Sequence, residues 1–463
     1  MALTGRAGLL AALGAVVVLL APRPGLAMAG VALALTALVL ADLTLAGSVR
    51  GLRLYRDGDR LVRLGESVAI GLVVENPGSR RVRGVLRDAW PPSAGAGPRR
   101  LSLDVPSGER RRLVTTLTPT RRGDREAVAV TVRALGPLGV AARQGTHHVP
   151  WSVRVLPPFL SRKHLPSRLA RLRELDGRHP ALVRGQGTEF DSLREYVVGD
   201  DVRSIDWRAS GRRGDVVVRT WRPERDRRVL IVLDTGRTSA GRVGTAPFPL
   251  SGASAGPRGA NGTGGVDGGG GRDGAAGWPR LDWSMDAALL LAALASRAGD
   301  RVDVLAYDRA VRAWLSGAAR TELLSSLVNV LAPIEPELVE ADAPGMVAAV
   351  LARARRRCLV VLLTDLSPSA VEEGLLPVLP RLSARHLVLV ASVADPRVAA
   401  MASGRDTAGQ VYDAAAAERL RGERRRITSL LRRHGVEVVD ALPDDIAPAL
   451  ADAYLALKAA GRL

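Results

Sequence analysis

From residue 228 to the end, short runs of unbroken apolar residues alternate with segments of helical period. RRVLIVLD, CLVVLLTD and HLVLVASV contain almost no polar residue at alternate positions. A strand of that kind is covered on both faces, which is the condition of a parallel sheet flanked by helices. The segments between them supply those helices. DWSMDAALLLAALASRAG has an Asp or Ser cap and ends at Gly299, and TELLSSLVNVL, APGMVAAVLARARRR, a stretch near 368–379, a long run ending RRHG and IAPALADAYLALKAA follow. RVDVLAYD and AVRAWLS read as a β-hairpin, and VEVVD as a last strand. The expected architecture over 228–463 is a doubly wound α/β sheet.

Such Rossmann-like sheets place ligands beyond the carboxyl ends of the strands, where the strand order reverses. Two apolar strands end in an acid, one at Asp234 and one at Asp365, and Thr235, Thr238, Thr364 and Ser367 lie beside them. If those strands are neighbours, two carboxylates and several hydroxyls converge, a donor set suited to Mg²⁺. The simpler alternative is that Asp234 caps a helix or pairs with an Arg.

Residues 7–22 and 26–41 carry no charge and show no polar face. Each spans roughly 24 Å as a helix, close to the ~30 Å of a hydrocarbon core. Ala27-Met28-Ala29 resembles a signal-peptide cleavage site, but a second apolar run straddles and follows it, so residues 1–45 are read as a transmembrane helical hairpin. Arg6 before the pair and Arg50, Arg53, Arg56 and Arg60 after it outnumber Arg23 in the turn. The positive-inside rule then places both ends and the soluble body in the cytoplasm of a bacterial plasma membrane.

Residues 46–157 alternate apolar and polar positions in about seven short segments, with Asn76-Pro77-Gly78, Pro106-Ser107-Gly108 and Arg122-Gly123-Asp124 between them. That is the pattern of a small antiparallel β-sandwich. Residues 158–227 form a connector containing a basic helix candidate, SRLARLRELDG. The formal charge of +19 comes almost wholly from Arg, since Lys163 and Lys458 are the only lysines. No aromatic-interleaved basic patch accompanies it, so nucleic acid is not an expected partner, and an anionic membrane surface is. The single Cys358 opens an apolar strand, and His147-His148 has no third partner at metal spacing, so disulfide and Cys zinc chemistry are excluded within one chain.

Residues 239–280 are rich in Gly, Ala, Ser and Pro and read as a disordered insertion. Gly252-Ala253-Ser254-Ala255-Gly256 inside it matches a nucleophile elbow in letters only, because no buried strand precedes it and no helix follows. No P-loop, zinc motif or triad occurs. Phosphoryl transfer from Asp234 would want a second acid two residues on, where Gly236 stands.

GQGTEFDSLREYVVGDDVRSIDWRASGR, residues 185–212, is too charged for a core strand and too irregular for an amphipathic helix. Gly199 permits a positive φ, and Asp200 or Asp201 suits a turn cap. Asp206 and Trp207 set an acid beside a large ring, with Arg194, Arg203 and Arg208 available for bidentate pairing. Two roles stay open: a polar clasp packed against the following sheet with Trp207 covered, or a partner-binding face.

The 228–463 pattern resembles the von Willebrand factor type A fold, whose metal site uses Asp-x-Ser-x-Ser after the first strand, a separate Thr and an Asp after the fourth. Here the first element is Asp234-Thr235-Gly236-Arg237-Thr238 and the last is Asp365; Gly236 offers no ligand and no separate Thr is evident. The resemblance implies a degenerate Mg²⁺ site of Asp234, Thr238 and Asp365, or Arg237 in place of the ion.

The signature Gly185, Gly187, Glu189, Phe190, Leu193, Arg194, Tyr196, Gly199, Asp200, Asp201, Arg203, Ile205, Asp206, Trp207, Ser210 and Arg212, ahead of such a strand, resembles the bacterial family called domain of unknown function fifty-eight. Gly136-Pro137-Leu138-Gly139 is a weaker echo of a family turn. The resemblance implies a non-enzymatic, membrane-attached adaptor or assembly factor working with a MoxR-type AAA+ ATPase, with Glu189, Arg194, Tyr196, Asp200, Asp201, Arg203, Asp206 and Trp207 as its signature or partner-binding residues. The alternatives are a cell-envelope scaffold without an ATPase partner and a phosphoryl-transfer hydrolase using Asp234.

Overall fold

A computed structural model describes residues 2–178, 189–197, 200, 202–222, 227–245, 247 and 277–463. They form two compact units that meet in sequence at Pro158 and Phe159.

The first unit opens with two apolar helices, α1 (Gly5–Leu20) and α2 (Pro24–Leu45). Pro24 sits in the first turn of α2, where its missing N–H costs nothing. The helices approach at Gly14, whose absent Cβ would fall on the Val31 side chain. Both present large apolar side chains outward, Leu19 at 83% and Leu33 at 73% exposure, so they are not core helices of the unit. α2 has 22 residues, and an 18-residue window of it has a mean hydropathy of 2.2, so it is long and apolar enough to cross a membrane by length and composition.

Beyond α2 the unit is β-rich. A sheet ordered Arg53–Gly58, Val68–Glu75, Arg110–Leu117, Ala96–Gly97 faces one ordered Ala2–Leu3, Ala141–His147, Ala129–Leu135, Val82–Ala89, Leu101–Val105. Leu72 and Val74 of the first pack with Leu86, Leu103, Val130 and Val132 of the second, the inward positions of a period-two pattern. The described strands exceed the seven expected. A third small sheet pairs Ser152–Leu156 in parallel with Leu61–Arg63, a departure from the all-antiparallel expectation. The residues before α1 also join a sheet, Ala2 and Leu3 opposite Ala142 and Ala141.

One buried acid ties α2 to this region. Asp42, in the last turns of the helix, is fully buried and accepts from the amides of Leu138 (2.8 Å), Val140 (2.7 Å) and Ala141 (2.7 Å). The Gly136-Pro137-Leu138-Gly139 turn is the cradle: a Cβ on Gly136 would lie 2.1 Å from the Asp42 carboxylate, and Gly139 has φ +70°. The start of α1 meets the same turn, through Thr4 N to Val140 O (3.0 Å) and Thr4 Oγ1 to Gly139 O (2.6 Å).

The second unit contains a six-stranded sheet of β1 (Arg228–Asp234), β2 (Arg301–Tyr307), β3 (Val311–Leu315), β4 (Leu359–Leu363), β5 (Leu387–Val393) and β6 (Glu437–Ala441), ordered β3-β2-β1-β4-β5-β6. All neighbours are parallel except β2 and β3, the expected hairpin. Alternate residues divide between two faces. Leu230, Val232, Val360, Leu362 and Val390 pack with Met346, Val350, Ile427 and Leu431. The intervening Ile231 and Leu233 are equally buried, and the helices Arg280–Arg297 (α3) and Ile446–Ala459 (α4) pack on each other and on the sheet. The first half of the expected connector belongs here too: Leu165–Arg178 is helical and Arg168 pairs with Asp452 at 2.9 Å.

The expected coil 239–280 is shorter among the described residues. Arg242–Val243 pairs antiparallel with Trp278–Pro279, and Trp278, 5% exposed, meets Trp283 edge to face at 4.9 Å. Burying two indoles closes the base of the insertion. Residues 246 and 248–276, including the Gly252–Gly256 match, lie outside the described residues.

Candidate functional site

Strand order reverses between β1 and β4, which are adjacent and parallel, so Asp234 at the end of β1 and Asp365 just after β4 stand at one crevice. Asp234 is 4% exposed. Its Oδ1 accepts from the Gly236 amide (2.8 Å), and its Oδ2 from Thr364 Oγ1 (2.7 Å) and Thr238 Oγ1 (3.3 Å). Burial pushes its carboxyl above the usual carboxylate range, against the pull of those three donors, and the nearby Asp365 adds to the rise.

Asp365 faces guanidinium groups. Arg424 donates to it through Nη1 at 3.1 Å and Arg280 stands at 3.3 Å. Arg280 also donates to Thr238 O (3.1 Å), and Arg424 continues to Ser392 Oγ (2.9 Å) and to both oxygens of Asp440 (2.6 and 3.2 Å). The two arginines supply the positive charge that the sequence reading assigned to Mg²⁺ or to Arg237. Arg237 itself turns to Glu340 at 2.5 Å. Mg²⁺ needs near-octahedral oxygens at ~2.1 Å, and here each acid is engaged by hydroxyls, an amide or guanidinium groups. Among the described residues no group of three or more His, Cys, Asp or Glu could hold a metal. Asp234, Thr238 and Asp365 are thus brought together, but the donor set does not fit the ion. Beside the Asp365–Arg424 pair opens a cavity of about 510 Å³ with Leu366, Val398, Leu420 and Leu442 in its walls.

The signature segment forms a second constellation. Glu189–Glu195 pairs antiparallel with Val217–Arg222, and Ile205 bridges to Val218. A short helix, Trp207–Arg213, is capped by Asp206, whose carboxylate accepts from the amides of Arg208 (3.1 Å) and Ala209 (3.0 Å) and from Arg219 Nε (2.7 Å). The Ala209 amide, then Arg219, hold its carboxyl below the usual range. Arg194 pairs with Asp200 at 2.6 Å, and Asp200 also accepts from Val197 N (3.0 Å). Tyr196 N donates to Val216 O (2.8 Å).

Three expectations change. Asp200 closes the turn before it, and Asp206 is the helix cap. The partner of Asp206 among side chains is Arg219, not Arg208. Trp207 is 69% exposed, as are Val202 (63%) and Val197 (58%), while the segment is held by main-chain and carboxylate bonds and buries Val217 and Val218 instead of the ring. Arg203 is exposed and Glu189 lies in the first strand; Asp201, with Gly185, Gly187 and Gly199, lies outside the described residues.

Sequence reasoning missed Asp42, Arg280 and Arg424. The long helix Ala408–Arg433 carries many arginines, and nothing in its pattern marks Arg424 among them. Asp42 alone had a signal, as the one acid in an otherwise uncharged apolar stretch.

Comparison with known proteins bears on the second unit. The family described as "Protein of unknown function DUF58" matches residues 192–246 and 274–435, which take in most of the signature segment and the sheet through β5. The chain belongs to the DUF58 family. No match is found among curated proteins. Among solved structures, the CARDB domain of the PF1109 protein from Pyrococcus furiosus is similar in a crystal structure with di-metal ions (15% identity, 23% of this chain and 87% of that one, TM-score 0.18). Its solution structure gives 15%, 23%, 94% and 0.17 in the same order. The ASH/PapD-like domain of human CEP192 gives 16%, 23%, 85% and 0.18. Likeness at these TM-scores assigns neither fold nor function.

Proposed function

We propose that this DUF58 chain is a non-enzymatic, membrane-anchored adaptor whose second unit, a von Willebrand factor A-like domain with its signature segment, binds a MoxR-type AAA+ ATPase or that ATPase's client. The observation that carries the reading is Trp207, a large aromatic 69% exposed at the tip of a helix that Asp206 fixes in place. A rigidly presented, exposed indole beside arginines is the composition of an interface hot spot. The non-enzymatic part is supported by Asp234, whose two oxygens already accept from Gly236, Thr238 and Thr364.

Anchoring is read as two spanning helices, α1 and α2, with the soluble parts in the cytoplasm. Support comes from the outer ends of both helices binding one turn, Thr4 and Asp42 to residues 138–141, so the chain leaves and returns on one side. The arginine bias after α2 gives that side its sign.

Affinity capture of the full chain from detergent-solubilised membranes tests the adaptor reading. Recovery of an AAA+ ATPase should fall at least tenfold with Trp207→Ala, a loss typical of a hot spot. The same variant should unfold like the parent, since it removes an exposed ring. Undiminished recovery with Trp207→Ala would sink the reading.

A further inference from the structure

The first unit holds a cationic cavity at the membrane end of its helices. It encloses about 1020 Å³, and its lining includes Arg6, Arg80, Arg81 and Arg83 but no carboxylate residue. Arg81 is neutralised by Asp104 through two bonds of 2.6 Å. Among the described residues no carboxylate is bonded to Arg6, Arg80 or Arg83. Arg6 donates to Leu138 O (3.3 Å) and Arg80 to Thr44 O in the last turn of α2, and all three side chains are exposed.

Position decides what such a cavity takes. Thr4 and Gly5, at the start of α1, and Leu45 and Gly47, at the end of α2, share its lining. Leu45 is 52% exposed, and the outward leucines of both helices continue from it. Guanidinium groups with no carboxylate bonded to them therefore sit where an apolar helix surface gives way to a polar domain, Arg83 being offset only at a distance by Asp104 opposite it on the next strand. A cleft lined by an excess of one sign of charge, here offset only in part by Asp104, concentrates an anion. The groove between apolar helices and arginines matches a molecule with one anionic phosphate and long acyl chains.

We propose that Arg6, Arg80 and Arg83 form a headgroup site for an anionic phospholipid, the phosphodiester bound by the guanidinium groups and the acyl chains lying along α1 and α2. The site rests on the reading of those helices as membrane-spanning. It would fix the depth and tilt of the β-rich region at the bilayer surface.

The test uses the full chain in a neutral detergent, titrated with short-chain phosphatidylglycerol, short-chain phosphatidylcholine and inorganic phosphate, with bound lipid counted by native mass spectrometry. Phosphatidylglycerol should bind preferentially. Arg80→Gln/Arg83→Gln should weaken it by on the order of 25-fold, about fivefold per guanidinium, while Arg80→Lys/Arg83→Lys keeps most of the preference. Equal binding of the two lipids, or a Gln pair that matches the parent, overturns the site. Saturation by inorganic phosphate with no lipid preference overturns it as well, in favour of a free-phosphate site. Flotation with pure phosphatidylcholine vesicles separates the two ideas. Parent and Gln pair should float alike; a parent that does not float removes the anchoring reading and this site together, whereas flotation without lipid preference removes the site alone.

Discussion

Replacing Arg424 by Met should be among the most damaging changes to the second unit. The guanidinium makes four bonds, one to Asp365, one to Ser392 and two to Asp440, at 2.6–3.2 Å. Its side chain is 20% exposed, that of Asp365 11% and that of Asp440 26%. Breaking a buried ion pair by removing one partner costs about 3–5 kcal/mol, because the other charge stays behind desolvated. Asp440 is partly wet and Asp365 keeps Arg280, so about 2–4 kcal/mol is expected here. With a urea m-value of about 2–3 kcal/mol/M for a unit of this size, the midpoint should fall by about 1 M. Pulse proteolysis of the full chain in detergent reads that midpoint from the surviving fragment. The double variant Arg424→Met/Asp440→Leu should recover about half of the loss, since neither charge is then left alone. A single variant with the parent's midpoint, or a double variant worse than the single, would refute the view that Arg424 is the counter-ion of the crevice.

Two further outcomes follow from other buried acids. Asp42→Ala leaves the amides of Leu138, Val140 and Ala141 without an acceptor, which should cost about 3–6 kcal/mol at ~1–2 per bond and speed protease cleavage in the 136–142 turn. Gly136→Ala should act in the same direction, and a turn as resistant as the parent's in both variants would exclude the cradle. Asp286 in α3 accepts from the Ser161 amide at 3.1 Å from each oxygen, and burial raises its carboxyl to about 6. The unfolded chain ionises this group near 3.8, so between pH 4 and 6 the folded state holds the extra proton and stability falls as pH rises. A shift of that size corresponds to about 3 kcal/mol, so Asp286→Asn should unfold at higher urea than the parent at pH 7 and at a similar midpoint near pH 4. Parallel pH curves for the two proteins would remove Asp286 as the source.

The alternation of unbroken apolar strands with helical segments was enough to place the parallel sheet, its hairpin edge and the two acids at its tips. Periodicity records how each short segment is buried, and a parallel sheet writes that record strongly. The apolar runs marked α1 and α2 for the same reason, and Cys358 was legible as a buried thiol: it is 5% exposed and burial pushes it up to about 11. Counter-charges leave no such record. Asp365 and Arg424 are 59 positions apart, Asp42 and its amides 96–99, and any of several arginines in the same helix satisfies the pattern equally well. Trp207 shows the opposite failure. Its composition argued for burial, yet the segment closes through main-chain and carboxylate bonds and leaves the ring outside. The one-dimensional pattern determined which segments become strands and helices and which ends carry acid. Only the tertiary packing decided which charge answers each acid and which apolar group stays exposed, because both depend on what chain folding brings within 3–4 Å.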